Sequence, residues 1–250
     1  MNRPRCMKLL AGMVLLALLA VCLCGYAEDT SNGKTAAEEY SDAQAPLSVG
    51  SYITFGNYYQ SDSSTKEPIE WLVLDHDAGE NRTLVISRYA LDCKKYNEKY
   101  DDITWEQCTL RAWLNEEFLN AAFSAEEQKM IPTVTVSADK NPDYNTAPGN
   151  ATQDKVFLLS ITEVNKYFKN DKARMCAPTQ YAVNNGVWTN SRNQVDGKAT
   201  CWWWLRSPGD YSYDAAIVSS DGSVISFGGG VNFSFSAVRP ALWIDLNLLP

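Results

Sequence analysis

In the stretch Cys201-Trp202-Trp203-Trp204-Leu205-Arg206-Ser207-Pro208-Gly209, three tryptophans and a leucine lead into proline and glycine. A second run, Val238-Arg239-Pro240-Ala241-Leu242-Trp243-Ile244, lies near the end of the chain. Aromatic and aliphatic runs bounded by proline and glycine are typical of β-strands. The segment between them differs, because aromatic rings there stand among small polar side chains. Such a mixture combines rigid contact area with adaptable hydrogen bonds. The pattern therefore predicts a binding surface carried by framework strands.

The predicted ligand-binding residues all lie between these two runs. They are Tyr211, Ser212, Tyr213, Asp214, Phe227, Asn232, Phe233, Ser234, Phe235 and Ser236. Alternation places Phe233 and Phe235 on one face, which fits core packing and ligand contact equally. The serine and asparagine neighbours and the run Gly228-Gly229-Gly230 favour exposure.

The runs themselves are interpreted as framework. Trp202 and Trp204 share a face opposite to Trp203, and at least one face is expected to be core, so the triplet is assigned mainly to framework. We expect the side chains of Trp204, Val238 and Leu242 to point inward. Two arginines, Arg206 and Arg239, could anchor an acidic ligand, but buried pairing with an aspartate is the preferred interpretation.

Length, composition and charge indicate a single acidic domain behind a leader. The chain has 250 residues, 45% of them hydrophobic, enough for one sizeable core. Its formal charge is −8, and Arg3, Arg5 and Lys8 in the leader leave −11 on the remainder. Nucleic-acid binding requires a basic patch, which is not visible in this sequence. Nucleic acid is therefore not an expected partner.

The N-terminus predicts export. A basic start followed by an apolar run that is too short for an ordinary membrane span predicts a signal peptide over residues 1–27, cleaved after Ala27. Cys22 or Cys24 could instead carry a lipid, and retention as an uncleaved anchor is a further alternative. Residues 28–47 lack periodicity and are predicted to be a flexible linker. The domain itself is assigned to residues 48–250, in a secreted or cell-envelope-associated protein.

The mature chain holds four cysteines, Cys93, Cys108, Cys176 and Cys201. Four cysteines in an exported protein permit two disulfides with three possible connectivities. We predict the pairs Cys93–Cys108, over a helix start, and Cys176–Cys201, across a long loop. No pair has metal-ligand spacing and His76 is the only histidine, so neither a metal site nor a cofactor is expected.

Hydrophobic patterning predicts an α+β domain. Strands are expected over residues 52–55, 69–74, 83–86, 133–136 and 155–159, with a hairpin between the second and third. Three capping boxes predict helix starts, at Thr104 with Gln107, Ser124 with Glu127 and Ser160 with Glu163. Residues 139–154 and 184–200 are predicted to be surface loops.

Several blocks resemble an uncharacterised bacterial domain family of exported proteins. They are the two runs quoted first together with Ile69-Glu70-Trp71, Tyr89-Ala90-Leu91-Asp92-Cys93, Thr109-Leu110-Arg111-Ala112-Trp113-Leu114-Asn115 and Lys155-Val156-Phe157-Leu158-Leu159-Ser160. That family is similar in turn to the C-type-lectin-like fold of formylglycine-generating enzymes and of variable proteins from diversity-generating retroelements. The resemblance implies a C-type-lectin-like domain whose first strand, near residues 52–55, lies beside the strand near residues 241–245.

The resemblance to variable proteins implies a test on composition. In those proteins a C-terminal segment is mutated at the adenines of asparagine-type codons, which never yields Lys, Glu, Gln, Met or Trp. Residues 208–237 contain none of these five types, although about five such residues would be expected from the composition of the chain. Glycine- and serine-rich strands also avoid long side chains, so both explanations remain open.

The sequence offers little support for an enzyme or a calcium-dependent lectin. His76 has no nucleophile nearby in sequence, and formylglycine-generating activity requires a redox cysteine pair where only Cys201 is present. The calcium motifs of sugar-binding lectins are absent, since Glu67-Pro68-Ile69 departs at its third residue. The expected function is receptor- or adhesin-like binding of a protein or glycan at a cell or envelope surface. The alternatives are a formylglycine-generating-type oxidase or other envelope enzyme, and a structural envelope protein. Contact with a membrane is expected only through an N-terminal lipid or anchor.

Overall fold

The computed structural model describes residues 47–248. The predicted signal peptide and most of the predicted linker lie outside these residues. Within residues 47–248, no helix is long and apolar enough to cross a membrane. The described elements form an α+β domain in which nearly all strand pairs are antiparallel.

The first sheet contains the two ends of the domain. Its five strands, in spatial order, are β1 (Tyr52–Tyr59), β2 (Lys66–Asp77), β3 (Arg82–Ser87), β14 (Ala241–Asp245) and β7 (Val156–Phe157). The predicted hairpin is present as the pair β2–β3. The predicted adjacency of the first and last strands is wrong, because β2 and β3 lie between β1 and β14. The free edge of β3 pairs with β14 instead.

The second sheet carries the C-terminal segment. Its order is β12 (Val224–Gly230), β11 (Asp214–Val218), β10 (Trp203–Pro208), β13 (Ala237–Val238) and β4 (Asp92–Cys93). All six residues of β10 are buried. The predicted second framework strand is split, since residues 237–238 lie in this sheet and residues 241–245 in the other. The chain therefore connects the two sheets at Arg239-Pro240.

Short helices and two small hairpins complete the domain. The α-helices are α1 (Thr109–Trp113), α2 (Leu119–Ala122), α3 (Ala125–Lys129), α4 (Ile161–Tyr167), α5 (Asp171–Arg174) and α6 (Gln180–Asn184), with a π-helical turn at Leu114–Phe118 and a 3₁₀ turn at Leu246–Leu248. The hairpins are β5 (Val134–Val136) with β6 (Thr152–Asp154), and β8 (Thr189–Val195) with β9 (Lys198–Cys201).

Two of the three predicted capping boxes are confirmed. Both hydrogen bonds of the box are present at Ser124, before α3, and at Ser160, before α4. The box predicted at Thr104 is wrong, because the carbonyl of Thr104 accepts hydrogen bonds within a turn. Helix α1 begins later, and the N-cap is Cys108, whose Sγ accepts the Arg111 N–H.

Both predicted surface loops contain strands. Residues 184–200 include the hairpin β8–β9, which turns at Asp196 and Gly197 with φ of 54° and 74°. A two-residue Asp-Gly turn with positive φ at both positions suits the twist of a hairpin. The loop predicted over residues 139–154 ends in β6, because Thr152 and Asp154 are buried against β5.

Arg206 forms the buried ion pair predicted for it. Its side chain is only 2% exposed and lies between two carboxylates, those of Glu163 and Asp139. Its Nη1 and Nη2 bind both oxygens of Glu163, and Nη1 also donates to the Leu158 carbonyl at 2.9 Å. The guanidinium thus ties β10 to the start of α4 and to the chain after β5.

Arg239 is also buried, but it has a different environment. Its Nε donates to the carbonyl of Ser87 at 2.9 Å, and its guanidinium lies over the rings of Trp203 and Phe168 at 5.0 and 5.4 Å. Within residues 47–248 no carboxylate forms an ion pair with Arg239. Among the described residues, the predicted pairing with an aspartate is therefore found for Arg206, through Asp139 and with Glu163 as a second partner, and not for Arg239.

We expect Arg206→Met to lower the free energy of unfolding by about 3–5 kcal/mol, because it leaves two carboxylates together without a counter-charge. Chemical denaturation measures this loss. Lys129→Met is the control, since Lys129 and its partner Glu126 are 66% and 77% exposed and such pairs contribute at most about 1 kcal/mol. Equal losses in the two variants would contradict the assigned role of Arg206.

Candidate functional site

A series of aromatic contacts crosses the surface of the C-terminal segment. Trp188 packs on Trp202 with ring centroids 5.5 Å apart, and Trp202 packs on Phe235 at 5.9 Å. Phe235 stacks on Phe233 at 5.0 Å. Farther along, Tyr100 packs on Tyr213 at 5.1 Å, and Tyr213 stacks on Tyr211 at 5.1 Å. We call these seven residues the aromatic groove.

The two halves of the aromatic groove meet at Gly230. A Cβ built at this glycine would lie 3.0 Å from the ring of Phe233 and 3.2 Å from the ring of Tyr100. A Cβ at Gly229 would lie 2.9 Å from Phe233. A side chain at either position would therefore push against the rings that line the surface, so glycine lets these rings lie close to the backbone.

A cavity of about 740 Å³ opens between the two halves. Tyr100, Trp202, Phe227, Phe233 and the glycines of β12 form much of its lining. The side chains of Asp214 and Asn232 also face it. A largely apolar cavity with a few polar groups, of this size, is typical of small-ligand sites.

A second cavity, of about 640 Å³, adjoins the first on the other side of Trp202. It is lined by Trp188 and Phe235, by Val183 of α6 and by Val187 in the chain after this helix. Trp202 lines both cavities. Its ring is half-buried and separates two openings in one surface, whereas Trp203 and Trp204 are fully buried.

Asp214 is a half-buried acid in the lining of the larger cavity. Within residues 47–248 its carboxylate receives no hydrogen bond from an N–H or O–H group and forms no ion pair. Its neighbour is Asp210, which accepts a hydrogen bond from Asp214 only when Asp214 is protonated. Burial, reinforced by the charge of Asp210, raises the pKa of Asp214 to about 6. Near neutral pH the cavity therefore holds a carboxylate beside a second acid.

The structure brings most of the predicted binding residues together. Tyr211 is 56% exposed and Phe227 is 53% exposed. Ser212, on the same side, donates its hydroxyl hydrogen to the carboxylate of Asp102. Ser234 is exposed, and its carbonyl accepts the Cys93 thiol at 3.2 Å. Ser236 departs from the others, because it is fully buried.

The framework prediction is confirmed for three residues and wrong for one. Trp204, Val238 and Leu242 are at most 1% exposed. Trp202, assigned to the framework with its neighbours, instead lines both cavities. It precedes β10, so alternation along the strand did not fix its direction.

Sequence reasoning missed Tyr100 and Trp188 entirely. The loop that carries Tyr100 is held on the C-terminal segment by backbone hydrogen bonds, from Asn97 N–H to Val231 O at 2.8 Å and from Ile103 N–H to Ser212 O at 2.9 Å. Backbone hydrogen bonds between residues far apart in the chain cannot be predicted from a local sequence pattern. For Trp188 a signal existed, since the turn Asp196-Gly197 predicts the hairpin that it precedes.

All four described cysteines have free thiols and are buried. The Cys176 thiol donates to the carbonyls of Arg88 and Ala177, and the Cys201 thiol donates to the carbonyl of Cys176 at 3.5 Å. Cys93 and Cys108 bond to different backbone groups. The structure thus brings the second predicted pair together and places the first pair in separate environments. Both disulfides remain predictions.

The described residues contain no group of three or more His, Cys, Asp or Glu side chains that could hold a metal ion. His76 is exposed near the end of β2, as expected for a surface residue. The site therefore consists of aromatic rings, glycine backbone and a few polar side chains.

Comparison with known families places this architecture in context. A family model described as a domain of unknown function, DUF6273, matches residues 80–246. The chain belongs to this family. The DUF6273 match runs from just before β3 to the end of β14, so β1 and β2 lie outside it. It includes every residue of the aromatic groove. No curated protein and no solved structure matches the chain.

We expect Asp214→Asn to stabilise the DUF6273 domain at about pH 7.5 and to have little effect at about pH 4. The pKa of Asp214 is raised in the folded state, so its contribution to stability is full below the ordinary value of 3.8 and is lost as the pH rises through about 6. Thermal unfolding across this pH range measures the difference between variant and wild type.

Asp221→Asn is the matched control for this experiment. The hydroxyl and N–H of Ser223 lower the pKa of Asp221, so its contribution is present at neutral pH and lost as the pH falls. The control is therefore expected to lose stability at neutral pH. A difference between Asp214→Asn and wild type that does not change with pH would contradict the assigned environment.

Proposed function

We propose that the chain is an exported, receptor- or adhesin-like protein that binds a ligand in the aromatic groove. The ligand is a protein or glycan at a cell or envelope surface. The observation that carries the proposal is the two groups of packed rings, one from Trp188 to Phe233 and one from Tyr100 to Tyr211, around two adjoining cavities. Aromatic side chains dominate the affinity of many protein interfaces, and exposed apolar patches mark binding sites.

The proposal includes a C-type-lectin-like fold for the domain. Support comes from the α+β architecture with mostly antiparallel sheets, and from the presence of β1 and β14 in one sheet. Further support is the long segment between β10 and β13, which adds β11 and β12 to the edge of the same sheet and contributes most of the groove. We propose export by the N-terminal signal, to the exterior or to the cell envelope.

The proposal extends to the origin of the surface. Residues 208–237 lack the five residue types that asparagine-codon mutagenesis cannot produce, and many of their side chains line the aromatic groove. We therefore propose that the segment is diversified by a retroelement. Its buried members, such as Ala215, Ala216 and Val218, are the positions expected to stay fixed.

The neighbouring DNA tests this origin directly. We expect a near-copy of the coding sequence for residues 208–237, differing at adenines and adjoining a reverse transcriptase gene. Differences should fall on codons of groove residues such as Tyr211 and Phe233, and should spare Ala215. If the locus lacks such a copy, the proposal of diversification is wrong and the proposal of ligand binding is unaffected.

An envelope enzyme of the formylglycine-generating type is the second candidate. The observation that favours it is that Cys176 and Cys201 are neighbours, with the Cys201 thiol donating to the Cys176 carbonyl at 3.5 Å. Against it, both cysteines are at most 1% exposed, and neither lines the two cavities described above. Ligand binding is therefore the function that the geometry favours.

Alanine substitutions separate binding from core packing. We expect Phe233→Ala and Phe235→Ala to lower the free energy of unfolding by well under the roughly 3–5 kcal/mol typical of buried phenylalanine, because both rings are half-buried. Tyr211→Ala should shift stability by about 0.5 kcal/mol or less. Chemical denaturation decides the point. Losses of about 3 kcal/mol at both phenylalanines would assign them to the core.

Binding is measured by probing arrays of glycans and envelope proteins with the mature chain. We expect the signals to fall at least about tenfold in the three groove variants, since a few aromatic anchors usually dominate such interfaces. Tyr52→Ala is the control, because Tyr52 is an exposed aromatic residue on β1 in the other sheet. Signals that fall equally in the control would place the binding surface elsewhere.

A further inference from the structure

The larger cavity of the aromatic groove combines aromatic walls with a negative charge. Tyr100, Phe227 and Phe233 present their rings to it, and the floor is glycine backbone. Position 228 accommodates only glycine, because its φ is +80° and a Cβ there would lie 2.4 Å from the Ala215 carbonyl oxygen. The space between the rings is therefore fixed by the backbone of β12.

Asp102 and Asp221 have hydrogen-bond donors, whereas within residues 47–248 no donor or cation contacts the carboxylates of Asp214 and Asp210. Asp102 accepts the hydroxyl of Ser212, and Asp221 accepts the N–H and hydroxyl of Ser223 at 3.0 and 2.6 Å. In the described part of the chain, neither a cation nor an N–H or O–H group bonds to the Asp214 carboxylate. A partly buried charge of this kind is costly unless a counter-charge approaches it.

The chemistry of the cavity selects among ligand classes. An anion would be repelled by Asp214 and Asp210. A divalent metal ion prefers a shell of several oxygen ligands, and the cavity is lined mainly by rings. An organic cation suits both features, since ring faces attract cations and a carboxylate neutralises them. The formal charge of the chain, −8, also favours the approach of cations.

We infer that this cavity binds a small organic cation whose ammonium group carries apolar substituents. The ammonium lies against the carboxylate of Asp214, and its substituents lie against the rings of Tyr100 and Phe233. The inference rests on the proposed function of the groove as a ligand site and names the ligand class of its larger cavity.

Calorimetric titration of the mature chain with choline tests the inference. The reference ligand is 3,3-dimethylbutan-1-ol, which has the same shape without the charge. We expect choline to bind about tenfold more tightly than the neutral alcohol at pH 7.5, from cation–π and charge attraction. Asp214→Asn should reduce this preference severalfold, because only the cation–π part of the attraction remains. Asp221→Asn should preserve the preference.

The pH dependence provides a second readout. Choline affinity should fall as the pH drops through about 6, where Asp214 takes up a proton. The other titratable groups near it are Asp210, Tyr100 and Tyr213. The pKa values of the two tyrosines are raised, so both stay neutral in this range. In Asp214→Asn the affinity should stay constant, and a wild-type dependence that persists in the variant would contradict the assignment.

The outcomes separate the two proposals. Equal binding of choline and the alcohol would overturn the cation inference while keeping the groove as a ligand site. Failure of choline to bind at millimolar concentration would also overturn it. The proposed function would still stand if array signals depend on Phe233 and Phe235, and it falls only if they do not.

Discussion

Strand β10 must bury every one of its six side chains, and the domain is built around that requirement. Trp203 packs against Phe168 on one side, with ring centroids 6.5 Å apart. Trp204 packs against Tyr96 on the other, at 5.7 Å, and donates its indole N–H to the Lys94 carbonyl at 2.9 Å. A strand covered on both faces needs elements above and below it, which accounts for the helices and the long loops around this sheet.

The aromatic groove begins where this burial ends. Trp202 is one residue before β10. Its half-buried ring packs on Phe235 and so connects the core to the groove. The surface is therefore continuous with a rigid interior, so its rings are pre-positioned and lose little freedom when a ligand binds. The same site carries a cost in stability, because the charge of Asp214 lacks a partner. Binding sites commonly keep such costs because a ligand removes them.

Sequence patterning predicted the elements that local chemistry specifies. The capping boxes at Ser124 and Ser160 and the hairpin β2–β3 depend on residues close together in the chain, so spacing was enough. The order of β1 and β14 depends on which edge of β3 remains free, which no local pattern encodes. Only part of the aromatic groove was predicted, for the same reason. Its C-terminal rings lie in one stretch of sequence, whereas Tyr100 reaches them through contacts across the fold.

The backbone of the groove is held by bonds that do not involve its side chains. Val231, Ser212 and Phe235 each accept, through their carbonyls, a backbone N–H from a different part of the chain, those of Asn97, Ile103 and Trp188. Backbone hydrogen bonds form with almost any residue type at these positions. Side chains such as Phe235 can therefore change while the main chain keeps its path. The proposed diversification requires that side chains can change without moving the main chain. The glycines of β12 are the exception, because their backbone itself lines the cavity.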